Sequence, residues 1–268
     1  MNRGRLAGRS NSSSVIAQNA QVYFTMKKSF STLCIIIPVY NEEQFITTTI
    51  KRVIEADSCG LKKEIIIVDD GSTDDTKLRI TNYELRIRKS KEIQCAIIYL
   101  KKNEGKGAAV RAGILKSTGD IVLIQDADLE YDPEDYPKLL KPFFKINADV
   151  VYGSRFIGGQ PHRVLYFWHY IANVFLTTLS NIFTNLNITD METGFKVFRG
   201  DVIRSIGPSL QSKRFGFEPE VTARISRIPD VKIYEVGISY WGRTYNEGKK
   251  IRWKDGVKAI WEIVKYNF

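Results

Sequence analysis

Cysteine is scarce in this chain. Only Cys34, Cys59 and Cys95 occur, an odd number without metal-ligand spacing. That argues against a disulfide framework and a cysteine-bound metal, and the three read as buried free thiols in a reducing compartment. Acidic residues are absent from the first thirty positions, where Arg3, Arg5, Arg9, Lys27 and Lys28 surround a run of serines. No apolar core of a secretory signal interrupts them, so a basic, disordered leader is expected over residues 1–30. Internal repeats and low-complexity linkers are missing too. One domain is therefore expected over residues 31–245, with a basic helix over 246–268 closing the chain.

What is present is ordinary globular material, 43% hydrophobic and 26% charged, with a net charge of +10. Such a balance favours anionic partners: nucleotides, phosphates, nucleic acid or an acidic membrane surface. Only the charge points to nucleic acid, and no matching motif accompanies it, so no nucleic-acid partner is expected. From Leu33 onward strands and helices alternate. Strands are expected at 33–37, 64–68, 95–100, 121–124 and 149–153. Helices are expected at 42–56 with Asn41 as N-cap, at 73–88, at 105–117, and after the Asp132-Pro133 cap. That spacing predicts an α/β fold with a mostly parallel sheet flanked by helices.

The fourth strand carries the sharpest signal. It runs through Ile121-Val122-Leu123-Ile124 and is followed by Asp126 and Asp128. Residues i and i+2 of an extended segment share a side, so both carboxylates are expected to face one cavity at the carboxyl edge of the sheet. Paired hard oxygens suit Mg²⁺ or Mn²⁺ when a diphosphate completes the shell. An Asp-x-Asp alone arises by chance about once in a chain this long, so its neighbours decide its weight. The other strands also end in chemistry: Pro38-Val39-Tyr40-Asn41-Glu42, Asp69-Asp70-Gly71, and Gly153-Ser154-Arg155. The third is followed by Asn103-Glu104-Gly105-Lys106-Gly107, which lacks the first glycine and the Ser/Thr of a Walker A loop. Its glycines instead let the helix start near Lys106 approach a ligand closely. Tyr40 either stacks on a base or packs in the core, and Asp70 either binds a nucleoside or shapes a turn.

Together and in this order these motifs resemble the family-2 glycosyltransferases of GT-A (Rossmann-like) fold, over about 31–268, and most of all the dolichyl- and polyprenyl-phosphate mannose or glucose synthases. The resemblance implies a nucleotide site at Pro38, Tyr40, Glu42, Asp70, Lys106, Asp126 and Ala127. It implies a Mg²⁺ or Mn²⁺ site at Asp126, Asp128 and Glu130, with Asp128 also catalytic. It further implies that Arg155 receives the acceptor phosphate, that Asp190 lies at the active site, and that Arg243 belongs to a loop closing over diphosphate and acceptor. A phosphate acceptor needs positioning rather than a base; a hydroxyl acceptor needs a carboxylate, for which Asp190 and Glu192 are the candidates.

The stretch 165–186 has no Asp, Glu, Lys or Arg yet carries six aromatic Tyr, Phe and Trp side chains. His169, Asn173, Thr177, Thr178, Ser180, Asn181 and Asn185 make a lipid-buried span untenable. A helix at a membrane interface, or one packed on the sheet or in a dimer contact, is expected instead. His169 and Asn173 stand where related synthases carry Arg and Ser. The loop 241–250 and the basic run to Phe268 add cationic surface, and no membrane hairpin follows as in several family members.

The expectation is an inverting, metal-dependent hexosyltransferase acting from a nucleoside-diphosphate sugar such as UDP-glucose or GDP-mannose onto a polyprenyl phosphate. It is expected in the cytoplasm, with peripheral contact at the cytoplasmic membrane face. A hydroxyl acceptor on a saccharide, lipid or protein is the alternative. A non-catalytic nucleotide-sugar-binding protein is a further one, which the intact Asp126, Asp128 and Arg155 argue against.

Overall fold

A computed structural model describes residues 30–87, 93–159, 161–164, 166–244 and 253–268. The leader, much of the loop after Trp241, and the cations Lys249, Lys250 and Arg252 lie outside the described residues. The strands are β1 (Thr32–Val39), β2 (Lys62–Asp69), β3 (Gln94–Tyr99), β4 (Ile121–Ile124), β5 (Val150–Ser154), β6 (Lys196–Arg199) and β7 (Ile233–Gly237). The helices are α1 (Ile46–Glu55), α2 (Thr76–Ile87), α3 (Lys106–Lys116), α4 (Tyr136–Ile146), α5 (Phe167–Thr184), α6 (Gly200–Ile206), α7 (Phe217–Ile225) and α8 (Trp253–Asn267).

The strands form one sheet in the order β3-β2-β1-β4-β6-β5-β7. Pairing is parallel except where β6 runs against β4 and β5. The chain winds outward from β1 to β3, then returns to lay β4 on the other side of β1. That reversal is a topological switch point, where open α/β sheets form their ligand crevice.

Continuous apolar runs make this sheet possible, because both of its faces are covered. Along β1, Leu33, Ile35 and Ile37 join the core beneath α1 and α4, while Cys34 and Ile36 join the core beneath α3, α6 and α7. Every β4 residue is buried.

Several boundaries differ from the sequence reading, each for a polar reason. α1 starts at Ile46, because Asn41 adopts φ 49° and accepts from Thr73 N at 2.8 Å instead of capping. Glu42 N donates to Thr76 Oγ1 at 2.9 Å. α2 starts at Thr76, since Asp69 and Asp74 accept from Ser72 N and Thr76 N and so build turns first. Asp126 and Asp128 are not on an extended strand end: β4 stops at Ile124, and 127–130 form a turn with Leu129 at φ 61°. The cysteines are not uniformly buried: Cys34 is, Cys59 is exposed and Cys95 is half-buried.

α5 inverts the usual arrangement of a surface helix. Thr177, Ser180 and Thr184 face the protein beside Leu176, while Trp168 (75% exposed), Phe167, Phe175 and Ile182 face outward. Among the described residues no helix is long and apolar enough to cross a membrane.

Candidate active site

The strand tips β1 to β5 surround a cleft of about 1210 Å³. Pro38, Tyr40, Glu42, Asp70, Lys106, Asp126, Ala127, Asp128, Glu130, Arg155 and Arg243 all line it. Trp168, His169, Asn173 and Phe175 of α5 and Val257 and Ile260 of α8 form another wall. Charged tips and an apolar wall therefore share one cavity.

At the tip of β2, Asp70 is buried and accepts from Glu104 N and Gly105 N, both at 2.7 Å. Burial raises its pKa against the pull of those amides. The carboxylate thus ties the loop before α3 to the tip of β2. Gly105 sits at φ 101°, and a Cβ there would lie 2.2 Å from the carbonyl of Lys213, so only glycine fits.

Lys106, the first residue of α3, bridges Asp126 at 2.9 Å and Glu218 at 3.0 Å. Burial alone would lower its pKa, but these two acids outweigh it and hold the ammonium charged. Across the turn, Arg243 reaches Asp128 at 3.0 Å and Glu42 at 3.3 Å. Glu130 accepts from Tyr240 OH at 2.7 Å and Arg243 N at 2.8 Å, which moors the start of the 241–250 loop. Burial, then Glu130 and Asp126, pushes Asp128 up to about 7 despite Arg243.

Those acids form an excess of negative charge that a doubly charged cation would relieve, and hard carboxylate oxygens suit Mg²⁺ or Mn²⁺. Among the described residues no group of three or more His, Cys, Asp or Glu side chains is gathered to hold a metal ion. Glu130 is turned to Tyr240 and Arg243, not toward its two expected partners in a ligand trio. The residues fit a divalent ion held by Asp126 and Asp128 with further oxygens from a diphosphate.

Arg155 and Asp190 are found together, but not as expected. Nε and one terminal nitrogen of Arg155 each donate to Asp190 at 2.7 Å, and Arg155 N adds a third bond at 3.0 Å. Asp190 is fully buried and does not line the cleft. Asp190, expected at the active site, stands behind Arg155 with both of its oxygens on that guanidinium. Arg155 lines both the main cleft and a second cavity of about 430 Å³, and the Tyr240 ring lies 5.2 Å from it. Asn173 also accepts from Arg155, at 3.3 Å.

Three residues here escaped the sequence reading. Tyr131 OH accepts from Gly194 N at 2.8 Å. A Cβ at Gly194 would lie 2.3 Å from Asp126 Oδ2, so the turn before β6 packs against the acid pair. Glu218 stands in the first turn of α7, where the macrodipole favours an acid, and its partner Lys106 is remote in sequence. Glu192 also lines the cleft.

Comparison with known proteins agrees with this geometry. The profile described as "Glycosyl transferase family 2" matches residues 34–207. The chain belongs to glycosyl transferase family 2. This transferase is 30% identical over 252 residues to the dolichyl-phosphate beta-glucosyltransferase of Dictyostelium discoideum, covering 88% of this chain and 74% of that one. It is 27% identical over 218 residues to the dodecaprenyl-phosphate galacturonate synthase of Rhizobium johnstonii, covering 81% of this chain and only 61% of that protein's length. Against the undecaprenyl-phosphate mannosyltransferase of Micrococcus luteus it is 28% identical over 249 residues, covering 85% and 95%. Among solved structures, glucosyl-3-phosphoglycerate synthase from Mycobacterium tuberculosis, in complex with Mn²⁺, UDP and phosphoglyceric acid, superposes with a TM-score of 0.65 at 19% identity, covering 90% of this chain and 80% of that one. The transferase has the GT-A fold, as its motifs led one to expect.

Proposed function

We propose that this glycosyltransferase moves a hexose, with inversion, from a nucleoside-diphosphate sugar to a polyprenyl phosphate. The observation that carries the reading is the composite cleft. One end gathers Lys106, Asp126, Asp128 and Arg243 for a diphosphate, Arg155 lies further along, and the apolar side chains of α5 and α8 complete the wall. An acceptor with a charged head and a long apolar chain matches that sequence of surfaces. The curated relatives named for dolichyl, dodecaprenyl and undecaprenyl phosphates support it.

Asp126 and Asp128 would hold Mg²⁺ or Mn²⁺, as the neighbour's Mn²⁺ complex suggests. Such an ion, when bound, supplies charge neutralisation of the departing nucleoside diphosphate. The chain's own residues do the rest. Tyr40 and Asp70 flank the nucleotide end, where Asp70 fixes the loop that leads into α3. Lys106 places a permanent positive charge beside the diphosphate. Asp190 holds Arg155 in one plane through Nε and Nη2, which leaves Nη1 to orient the acceptor phosphate toward the anomeric carbon. An ionised phosphate needs no proton removed.

The exposed aromatic face of α5 supports peripheral attachment to the cytoplasmic membrane face, where such an acceptor resides. A hydroxyl acceptor remains the second reading because Glu192 lines the cleft with one oxygen unpartnered. Its pKa of about 8, raised by burial and then by Glu218, keeps it protonated at neutral pH and makes it a poor base there.

Incubating the full chain with radiolabelled UDP-glucose or GDP-mannose, divalent metal and polyprenyl phosphate tests the proposal. Label should enter an organic-soluble product that mild acid releases. Label appearing solely on a water-soluble acceptor would transfer support to the second reading.

A further inference from the structure

Lys106 and Arg155, which line the cleft, are held by acids of the chain, while Arg214 lines it exposed. Lys106 holds Asp126 and Glu218, and Arg155 holds Asp190. Lys196 donates to the carbonyls of Met191 and Thr193. Two acids differ. Glu192 Oε1 and Glu218 Oε2 are each buried without a hydrogen-bond partner, and both residues line the cleft. Glu218 is itself only 4% exposed. Buried carboxyl oxygens left open in this way call for a donor from outside the chain.

Their place narrows what that donor is. Glu218 shares Lys106 with Asp126, and Glu192 belongs to the turn whose Gly194 abuts Asp126. Both acids therefore lie one side chain beyond the carboxylate assigned to the diphosphate, where the sugar of a nucleotide sugar would sit. We propose that Glu192 and Glu218 form a hydroxyl-reading pair that accepts a neutral hexose and rejects a hexuronate. This rests on the nucleotide-sugar reading above and narrows it, since the curated relatives include glucosyl, mannosyl and galacturonosyl enzymes. Sugar hydroxyls can donate to both open oxygens. A uronate carboxylate has no hydrogen to give the open oxygen of Glu218, and it would place a second negative charge beside that Lys106-paired acid.

The test uses the full chain and whichever nucleotide series turns over: UDP, UDP-glucose and UDP-glucuronate, or GDP, GDP-mannose and GDP-mannuronate. The unmodified protein should favour the hexose in kcat/KM by roughly a hundredfold or more, as like-charge juxtaposition requires. Glu192→Gln is nearly isosteric. It should bind the free nucleoside diphosphate within about twofold of the parent, bind the hexose donor about tenfold more weakly, and lose about tenfold of the preference. Glu218→Gln should shift the preference in the same direction. A parent protein that uses the uronate as readily as the hexose overturns the pairing and leaves the transferase intact. So does loss of free-nucleotide and donor binding in equal measure, since that marks a structural role. If no nucleotide sugar is turned over at all, the underlying transferase reading fails first and this inference falls with it.

Discussion

Asp128 concentrates the electrostatic problem of the site. It is enclosed beside Glu130 and Asp126, with Arg243 bonded to it and Lys106 paired to Asp126. Asp128→Asn preserves shape but removes the charge that a divalent ion needs. Initial-rate assays should show turnover falling on the order of a thousandfold, the scale of losing one preorganised electrostatic group. Glu192 gives a prediction in pH. Burial, then Glu218, raises its pKa from 4.5 to about 8 in the folded chain. The folded state therefore holds the extra proton, so this stabilising contribution is complete below about pH 4.5 and is lost as pH rises through about 8. Glu192→Gln cannot lose it. Thermal melts should show the variant gaining on the parent as pH goes from about 5 to about 9. At this scale the sequence was informative wherever chemistry followed a strand directly, as at Asp126, Asp128 and Arg155. It was silent on Glu218 and Tyr131, whose partners Lys106 and Gly194 are distant in sequence. It did not reveal that Asp190 is the buried partner of Arg155, because a buried bidentate pair looks the same in sequence as an exposed acid.

At the scale of elements, the apolar runs announced β1, β2 and β4, since strands covered on both faces carry little polar residue to confuse them. Helix starts were less legible. Asn41 and Thr73 bond to each other across two loops rather than capping their own helices, a long-range choice invisible to local rules. α5 shows how the polar count alone can mislead. Its Thr177, Ser180 and Thr184 point inward, so the outward face is richer in aromatics than the composition suggests. Trp168 of α5 and Trp261 of α8 are 75% and 65% exposed. Replacing both with Ser should reduce co-sedimentation with anionic lipid vesicles by about tenfold or more, given the apolar area each ring would bury. Unchanged sedimentation would remove the membrane role of this face.

The proposed function predicts that nucleotide and metal are coupled to the stability of the whole molecule, because the tips of five strands meet at the cleft. Mn²⁺ and the cognate nucleoside diphosphate together should raise the melting temperature. Saturation at a hundred times Kd corresponds to about 2.7 kcal/mol. A chelator should abolish both the shift and turnover, and added Mn²⁺ or Mg²⁺ should restore them; full activity in chelator would remove the metal from the proposal. The two halves of the rim are built differently. Parallel strands deliver the nucleotide side by their ends, whereas β6 runs backwards and delivers the segment 190–195 by its beginning. Glu192 and Gly194, which line the cleft, thus hang from a separately threaded piece of backbone. Transplanting it between related enzymes offers a route to new donor preferences while the nucleotide grip stays as it was.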